Sequence, residues 1–210
     1  MDKGSHYPGF DVLQAQDAWD ETTRNIVLKR LAPSTQRAFL RPEEERTLAA
    51  LIEHLLFESR PELKAYVLAH IDNELCNPIG ESERKAGMPP QAALVRNGLF
   101  ALDAVARYRH SRLFHQCDTA AQFQMVAALQ NGQLEALLEW QAAPQRDFFN
   151  KLLTLTVESY AAHPTVWSEM GYAGPAYPRG YYHIELNIRD AWEPEPARRQ
   201  KEERRGEHEG

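Results

Sequence analysis

The stretch PEEERTLAALIEHLLF, Pro42 to Phe57, decides the fold class. Leu48, Leu51, Ile52, Leu55 and Leu56 recur at the i, i+3, i+4, i+7, i+8 spacing of one helical face. Pro42 suits the first helical position, where no N–H is needed, and Glu43, Glu44 and Glu45 sit at the positive end of the helix dipole. The same period continues on the C-terminal side. Leu63, Val67, Ile71 and Leu75 share one side of a helix starting at Pro61, which Asn77-Pro78-Ile79-Gly80 must end. Pro89 and Pro90 open a longer helix to about Arg109 with a broad apolar arc of Leu94, Val95, Leu99, Leu102 and Val105. Asp103 and Arg107, four residues apart, are expected to pair along its polar strip. Thr119-x-x-Gln122 has the form of a capping box before Phe123, Val126 and Leu129, and Asn131-Gly132 that of a helix end. Residues 133–140 predict a short helix. Pro144 starts a last long one, with Phe149, Leu152, Leu153, Thr156 and Tyr160 on one face, ending at His163-Pro164. No segment alternates with period two between hairpin turns, so the expectation is an all-α, helical bundle-like domain.

Two stretches differ from this helical body. WSEMGYAGPAYPRGYY, Trp167 to Tyr182, holds five aromatics, three glycines and two prolines in 16 residues, and is expected to be irregular rather than a regular helix. After Trp192, EPEPARRQKEERRGEHEG carries six acidic and five basic residues and nothing large and apolar, so it is read as a disordered charged tail. The expected organisation is an N-terminal extension (1–40), a helical domain (41–165), an aromatic partner-binding arm (166–192) and the tail (193–210).

Composition sets the outer limits. The chain has 210 residues, of which 43% are hydrophobic and 26% charged, the proportions of a globular domain that needs neither metal nor disulfides to hold a core. Thirty acidic residues against 24 Lys and Arg leave a net charge of −6. With no basic block, nucleic acid and anionic membrane are excluded as partners. No apolar run approaches the roughly 20 residues of a bilayer span. Residues 1–10 lack both the basic-then-apolar order of a secretory signal and a twin-arginine pair. The compartment stays open: cytoplasm as the sequence stands, periplasm where the chain is co-exported or a leader has been removed. Cys76 and Cys117 match no metal or redox spacing, and are expected to be buried free thiols, or a single bridge in an exported protein.

A search for chemistry assigns no catalytic, cofactor-binding or metal site to this chain. His110, His115 and Cys117 are close in sequence but match no zinc-ligand pattern. Glu-x-x-His and His-Glu-x-x-His are absent. Gly171, Gly174 and Gly180 do not form a dinucleotide fingerprint, and Pro175 and Pro178 remove two N–H donors that a phosphate loop would use. His183-x-Glu185 beside Tyr181 and Tyr182 has the groups for acid–base work, although a structural or interface pair is the preferred reading. The aromatic stretch is left with two open readings of equal weight. Its rings either anchor a protein partner or fold back as a lid on the helical core.

One resemblance is specific. The helix FFNKLLTLTVESYAAHP (Phe148 to Pro164) leading into GYAGPAYPRGYY (Gly171 to Tyr182) resembles the gluconate 2-dehydrogenase subunit 3 family. The segment NGLFALDAVARYRHSRLFHQCDTAAQFQMVAALQNG (Asn97 to Gly132) is similar to the family's preceding helix, loop and helix, and RTLAALIEHLL (Arg46 to Leu56) to its first helix. The likeness spans roughly residues 41–182. It implies a small, cofactor-free subunit of a heteromeric dehydrogenase whose large subunit is a flavoprotein of the glucose-methanol-choline type, oxidising sugars, sugar acids or polyols, joined in many cases by a cytochrome subunit. The small subunit helps the flavoprotein fold, remain stable or be exported, while FAD and the catalytic base belong to the partner. On this reading Trp167, Tyr172, Gly174, Pro175, Tyr177, Pro178, Tyr181, Tyr182 and His183 form the partner interface. Two departures stand out: no twin-arginine leader is present, and Phe57-Glu58-Ser59-Arg60-Pro61 replaces the family's acidic, Pro-Gly-containing loop. They suggest a divergent branch with a different sugar substrate, such as a glycoside oxidised on the ring. The alternatives are a transient helical chaperone or scaffold for such an enzyme, and a small enzyme using His183 and Glu185.

Overall fold

A computed structural model describes residues 6–77, 87–180 and 188–196. It is all-α. The helices are α1 (Glu21–Lys29), α2 (Pro42–Leu56), α3 (Pro61–Cys76), α4 (Gln91–His110), α5 (Thr119–Asn131), α6 (Gln145–Ala161) and α7 (Pro164–Met170), with 3-10 turns at Val12–Ala18, Phe114–Gln116 and Leu138–Gln141. No strand occurs among the described residues. The chain divides into two compact units, one of residues 33–160 and one combining residues 1–32 with 161–210.

In the 33–160 unit, α2 packs against α3, α4 and α5. Leu48, Leu51 and Ile52, three of the five stripe residues read from sequence, are 0–1% exposed, and Leu63, Val67, Ile71 and Leu75 of α3 are also closed off. Each such aliphatic side chain contributes about 1.5–3 kcal/mol by leaving water. Gly98 lets α4 meet α6: a Cβ there would fall inside the Phe148 ring, whose other neighbour is Trp140 at 6.1 Å. A mid-helix glycine costs about 1 kcal/mol against alanine. Here it opens the seat for a fully buried phenylalanine.

Four expectations are corrected in this unit. Asp103 is not on a polar strip. It is 8% exposed, its Oδ1 accepts the Phe114 N–H at 2.9 Å, and both its oxygens lie 3.2 Å from the Thr47 hydroxyl, while Arg107 is exposed. Burial, the largest influence, holds the Asp103 carboxyl above the ordinary carboxylate range, partly opposed by the Phe114 and Thr47 hydrogen bonds. The cap of α5 is Asp118, which accepts the Ala121 N–H at 2.8 Å. Gln122 is instead buried, donating to the Phe114 and Cys117 carbonyls at 3.0 Å and meeting His54 Nε2 at 2.9 Å. A carboxylate adjacent to the first turn caps better than a threonine inside it. Residues 133–140 form a loop ending in a 3-10 turn, because Gly132 at φ 66° closes α5 and redirects the chain. Of the two free cysteines Cys117 is buried, but Cys76, at the last position of α3, is exposed.

Asp72 holds the entry segment of this unit. Only 4% exposed, its carboxylate accepts the backbone N–H groups of Ala38 (2.8 Å), Phe39 (3.0 Å) and Leu40 (2.7 Å). Three donors satisfy one buried charge, which fixes the path into α2.

Candidate functional site

The aromatic arm lies in the other unit, on a bed made by the N-terminal residues. Asp11 caps the first 3-10 turn by accepting the Leu13 N–H (3.0 Å), and Asp20 caps α1 by accepting the Thr23 N–H (3.1 Å). The hydrogen bond from Thr23 holds the Asp20 carboxyl below its ordinary range. Between the two caps the chain buries Val12 and Trp19, and α1 adds Val27. Together with Trp167 these make a four-residue core, flanked by Phe10 and Leu13.

α7 is clasped to this bed by polar contacts. His163 caps it, its Nδ1 accepting the Thr165 N–H at 3.2 Å. That requires an unprotonated Nδ1, so the neutral ring carries its proton on Nε2. Ser168 Oγ accepts the Val12 N–H and donates to the Pro164 carbonyl, both at 3.1 Å. Gly171 ends the helix at φ 74°, with the Tyr172 N–H reaching the Trp167 carbonyl at 2.9 Å. Gly171 and Gly174 are needed twice over. Both have positive φ, and a Cβ at Gly171 would collide with the Tyr7 ring, one at Gly174 with Trp19 (2.8 Å) and Val12 (2.9 Å).

The residues picked out in the sequence are placed as follows. Trp167 belongs to a helix, the last turn of α7, so the irregular stretch begins only after Met170. Its ring is 8% exposed, its Nε1–H donates to the Ala161 carbonyl at 2.7 Å, and the Arg30 guanidinium lies 5.1 Å above it while bonding the Ala162 carbonyl at 2.8 Å. Tyr172 meets Trp167 edge-on at 5.2 Å and is 40% exposed. Gly174 is buried and Pro175 half-buried. Tyr177 is 72% exposed and precedes Pro178, also exposed, through a cis peptide bond. Tyr181, Tyr182, His183 and Glu185 lie outside the described residues. Within the arm, then, Trp167 packs into the small core of its own unit and Tyr177 faces solvent.

Beside the arm is a cleft of about 520 Å³, walled by Phe10, Gln14, Arg179, Trp192 and Pro194. Arg179 stacks 4.5 Å over the Trp192 ring and donates from Nη2 to the Ala173 carbonyl at 3.2 Å, leaving Nε and Nη1 buried and unpartnered. A guanidinium in this state is a ready donor to a carboxylate or a backbone carbonyl.

Sequence reasoning missed this bed, in particular Tyr7, Val12, Trp19, Val27 and Arg30. The available signals were Asp11 and Asp20 as caps and Trp19 in an otherwise polar stretch. Among the described residues no group of three or more His, Cys, Asp or Glu side chains is placed to hold a metal. His115 Nδ1 lies 3.3 Å from the Thr47 hydroxyl, and the Cys117 thiol donates to the Leu113 carbonyl, its pKa raised chiefly by burial. No described helix is long and apolar enough to cross a membrane.

Comparison with known proteins yields one family: the model described as gluconate 2-dehydrogenase subunit 3 matches residues 42–174. No curated protein and no solved structure matches the chain.

Proposed function

Because the chain belongs to the gluconate 2-dehydrogenase subunit 3 family, we propose that it is the non-catalytic small subunit that stabilises an FAD-dependent dehydrogenase of the glucose-methanol-choline type and assists its maturation. FAD and the catalytic base reside in that partner, whose substrate is a sugar, sugar acid or glycoside. A cytochrome subunit completes the assembly where electrons leave through a haem.

The family match carries this reading, and the layout of the arm supports it. Trp167 and the two glycines give the arm a fixed base, so an exposed ring such as Tyr177 loses little freedom when a partner covers it. Tyrosine is favoured at binding hot spots because one large rigid ring carries both apolar area and a hydroxyl.

The test is co-expression with a flavoprotein dehydrogenase of the glucose-methanol-choline type from the same genome. The expected result is a stoichiometric complex, and Tyr177→Ala should weaken it by about 2 kcal/mol, the usual cost of an aromatic hot spot. With the ring 72% exposed, the melting temperature of the chain alone should stay nearly unchanged. A flavoprotein that folds, retains FAD and turns over equally well without this chain would overturn the proposal.

A further inference from the structure

The link between α5 and α6 and the first turn of α6 wall a cleft of about 590 Å³ within the 33–160 unit. That volume falls in the range of small-molecule sites, roughly 300–1,000 Å³. One end of the cleft is the helix terminus itself, since Pro144, Gln145, Arg146 and Asp147 all line it. The first N–H of this end to find a backbone acceptor is that of Phe148, bonded to the Pro144 carbonyl at 2.9 Å. The N–H groups of Gln145, Arg146 and Asp147 are left without an intrahelical partner, and Pro144, just before them, has no side-chain oxygen with which to cap them.

A second observation at the same place calls for a ligand. Trp140, only 7% exposed, lines this cleft, and its Nε1–H is buried with no acceptor among the described residues. Buried polar groups in native proteins are nearly always hydrogen-bonded, to the protein, to water or to a ligand, so an unmet donor in the wall of a cleft marks where an acceptor belongs. The surroundings are already fixed. The Trp140 ring packs on Phe148 at 6.1 Å. Gln145 accepts the Leu134 N–H at 3.0 Å and donates to the Leu134 carbonyl at 3.1 Å, while Arg146 donates from Nη2 to the Asn131 carbonyl at 3.0 Å.

The chemistry of the walls selects the ligand. Arg146 and Asp147, the charged side chains that line the cleft, have opposite formal charges and cancel. What remains is the field of the helix terminus, equivalent to about half a positive charge, which suits one negative charge better than the two of a phosphate. Leu137 and Leu138 supply apolar wall, and Leu138 is 78% exposed. We propose that this cleft binds a small carboxylic acid with an apolar arm. The carboxylate accepts from the Trp140 indole and from the first turn of α6, and the arm lies on Leu137 and Leu138. The proposal stands apart from the subunit reading, and neither depends on the other.

Titration calorimetry on the full chain tests it with octanoate, octanol, acetate, inorganic phosphate and an N-acetylated tripeptide ending in leucine. Octanoate should bind one to one. Octanol, which lacks the charge, and phosphate, which lacks the arm, should bind about tenfold more weakly or worse. Trp140→Phe keeps the ring and deletes the N–H, so the Kd for octanoate should rise about tenfold while the melting temperature stays the same or increases, an unpaired buried donor having been removed. Leu138→Ala, at an exposed position, should leave stability unchanged and weaken octanoate about threefold without affecting acetate. Failure of octanoate to bind, equal binding to wild type and both variants, or octanol matching octanoate would overturn the proposal. A fall of several degrees in the Trp140→Phe melting temperature would show that the N–H serves the fold, and would overturn it as well. Tighter binding of the tripeptide than of octanoate would assign the cleft to a chain terminus instead of a small acid.

Discussion

The two units of this chain are held together by different means. In residues 33–160 lie all the largest side chains with less than 2% exposure, among them Phe114, Phe148, Leu48, Leu51, Ile52 and Met125. Among the described residues of the other unit, the hydrophobic cluster around Trp167 has four buried members, two of them tryptophans, and is supported by caps, a serine clasp, a cation over a ring and two glycines in close contact with aromatic rings. Burial of aliphatic surface adds up over many positions, whereas a small core of this kind depends on each of its members. Elements that must adapt to a partner are commonly drawn from the less stable part of a protein, and the exposed tyrosines of the arm, Tyr172 and Tyr177, sit in this smaller unit.

The largest expected effect comes from Trp167→Ala, at about 3–5 kcal/mol for a buried aromatic side chain. Hydrogen exchange should show protection lost over residues 6–32 and 161–180 while α2 to α6 keep theirs. If α2 to α6 open as well, the division into separately stabilised units is wrong. Next comes Gly174→Ala, at about 2–3 kcal/mol from a positive φ combined with overpacking against Trp19 and Val12. Tryptophan fluorescence would read it, because both rings lie in this small core. A variant with wild-type stability would show that the bed is looser than the contact distances indicate.

The smallest effect tests the other unit. The Arg60 hydrogen bonds, aided by Tyr160 and opposed by burial, depress Glu58 from 4.5 to about 2. A carboxylate with a depressed folded pKa adds stability that is fully present above pH 4.5 and is lost as pH falls toward 2. Glu58→Gln should therefore cost about 1–3 kcal/mol at pH 7, the range for hydrogen bonds to a charged group. Wild type and variant should converge in stability as pH approaches 2. A constant difference across that window would mean that Glu58 acts by packing rather than by charge.

The helical body was legible because its period is a local property of the chain. Leu48, Leu51 and Ile52 announce one face whatever they pack against, and α2, α3, α4 and α6 start and stop within two residues of the expected positions. Asp103 was misread for the opposite reason. Its i,i+4 partner is visible in the sequence, but Phe114 and Thr47 reach it only through the fold. The same holds for Gln122, whose capping-box spacing was outweighed by two carbonyls in the turn before α5.

By itself, then, the sequence determined the all-α class, most helix limits, the family and the position of the aromatic arm, since periodicity, prolines and a distinctive motif act over short separations. Only the tertiary structure decided which aromatics are used internally and which remain available. Trp167 and Tyr177 are ten residues apart in one motif and chemically alike. Trp167 is closed off because Val12, Trp19 and Val27, some 140 or more residues away in sequence, come to lie against it. Tyr177 stays open because no described side chain covers more than a part of its ring. Burial is a property of the assembled neighbours, and no local pattern records it.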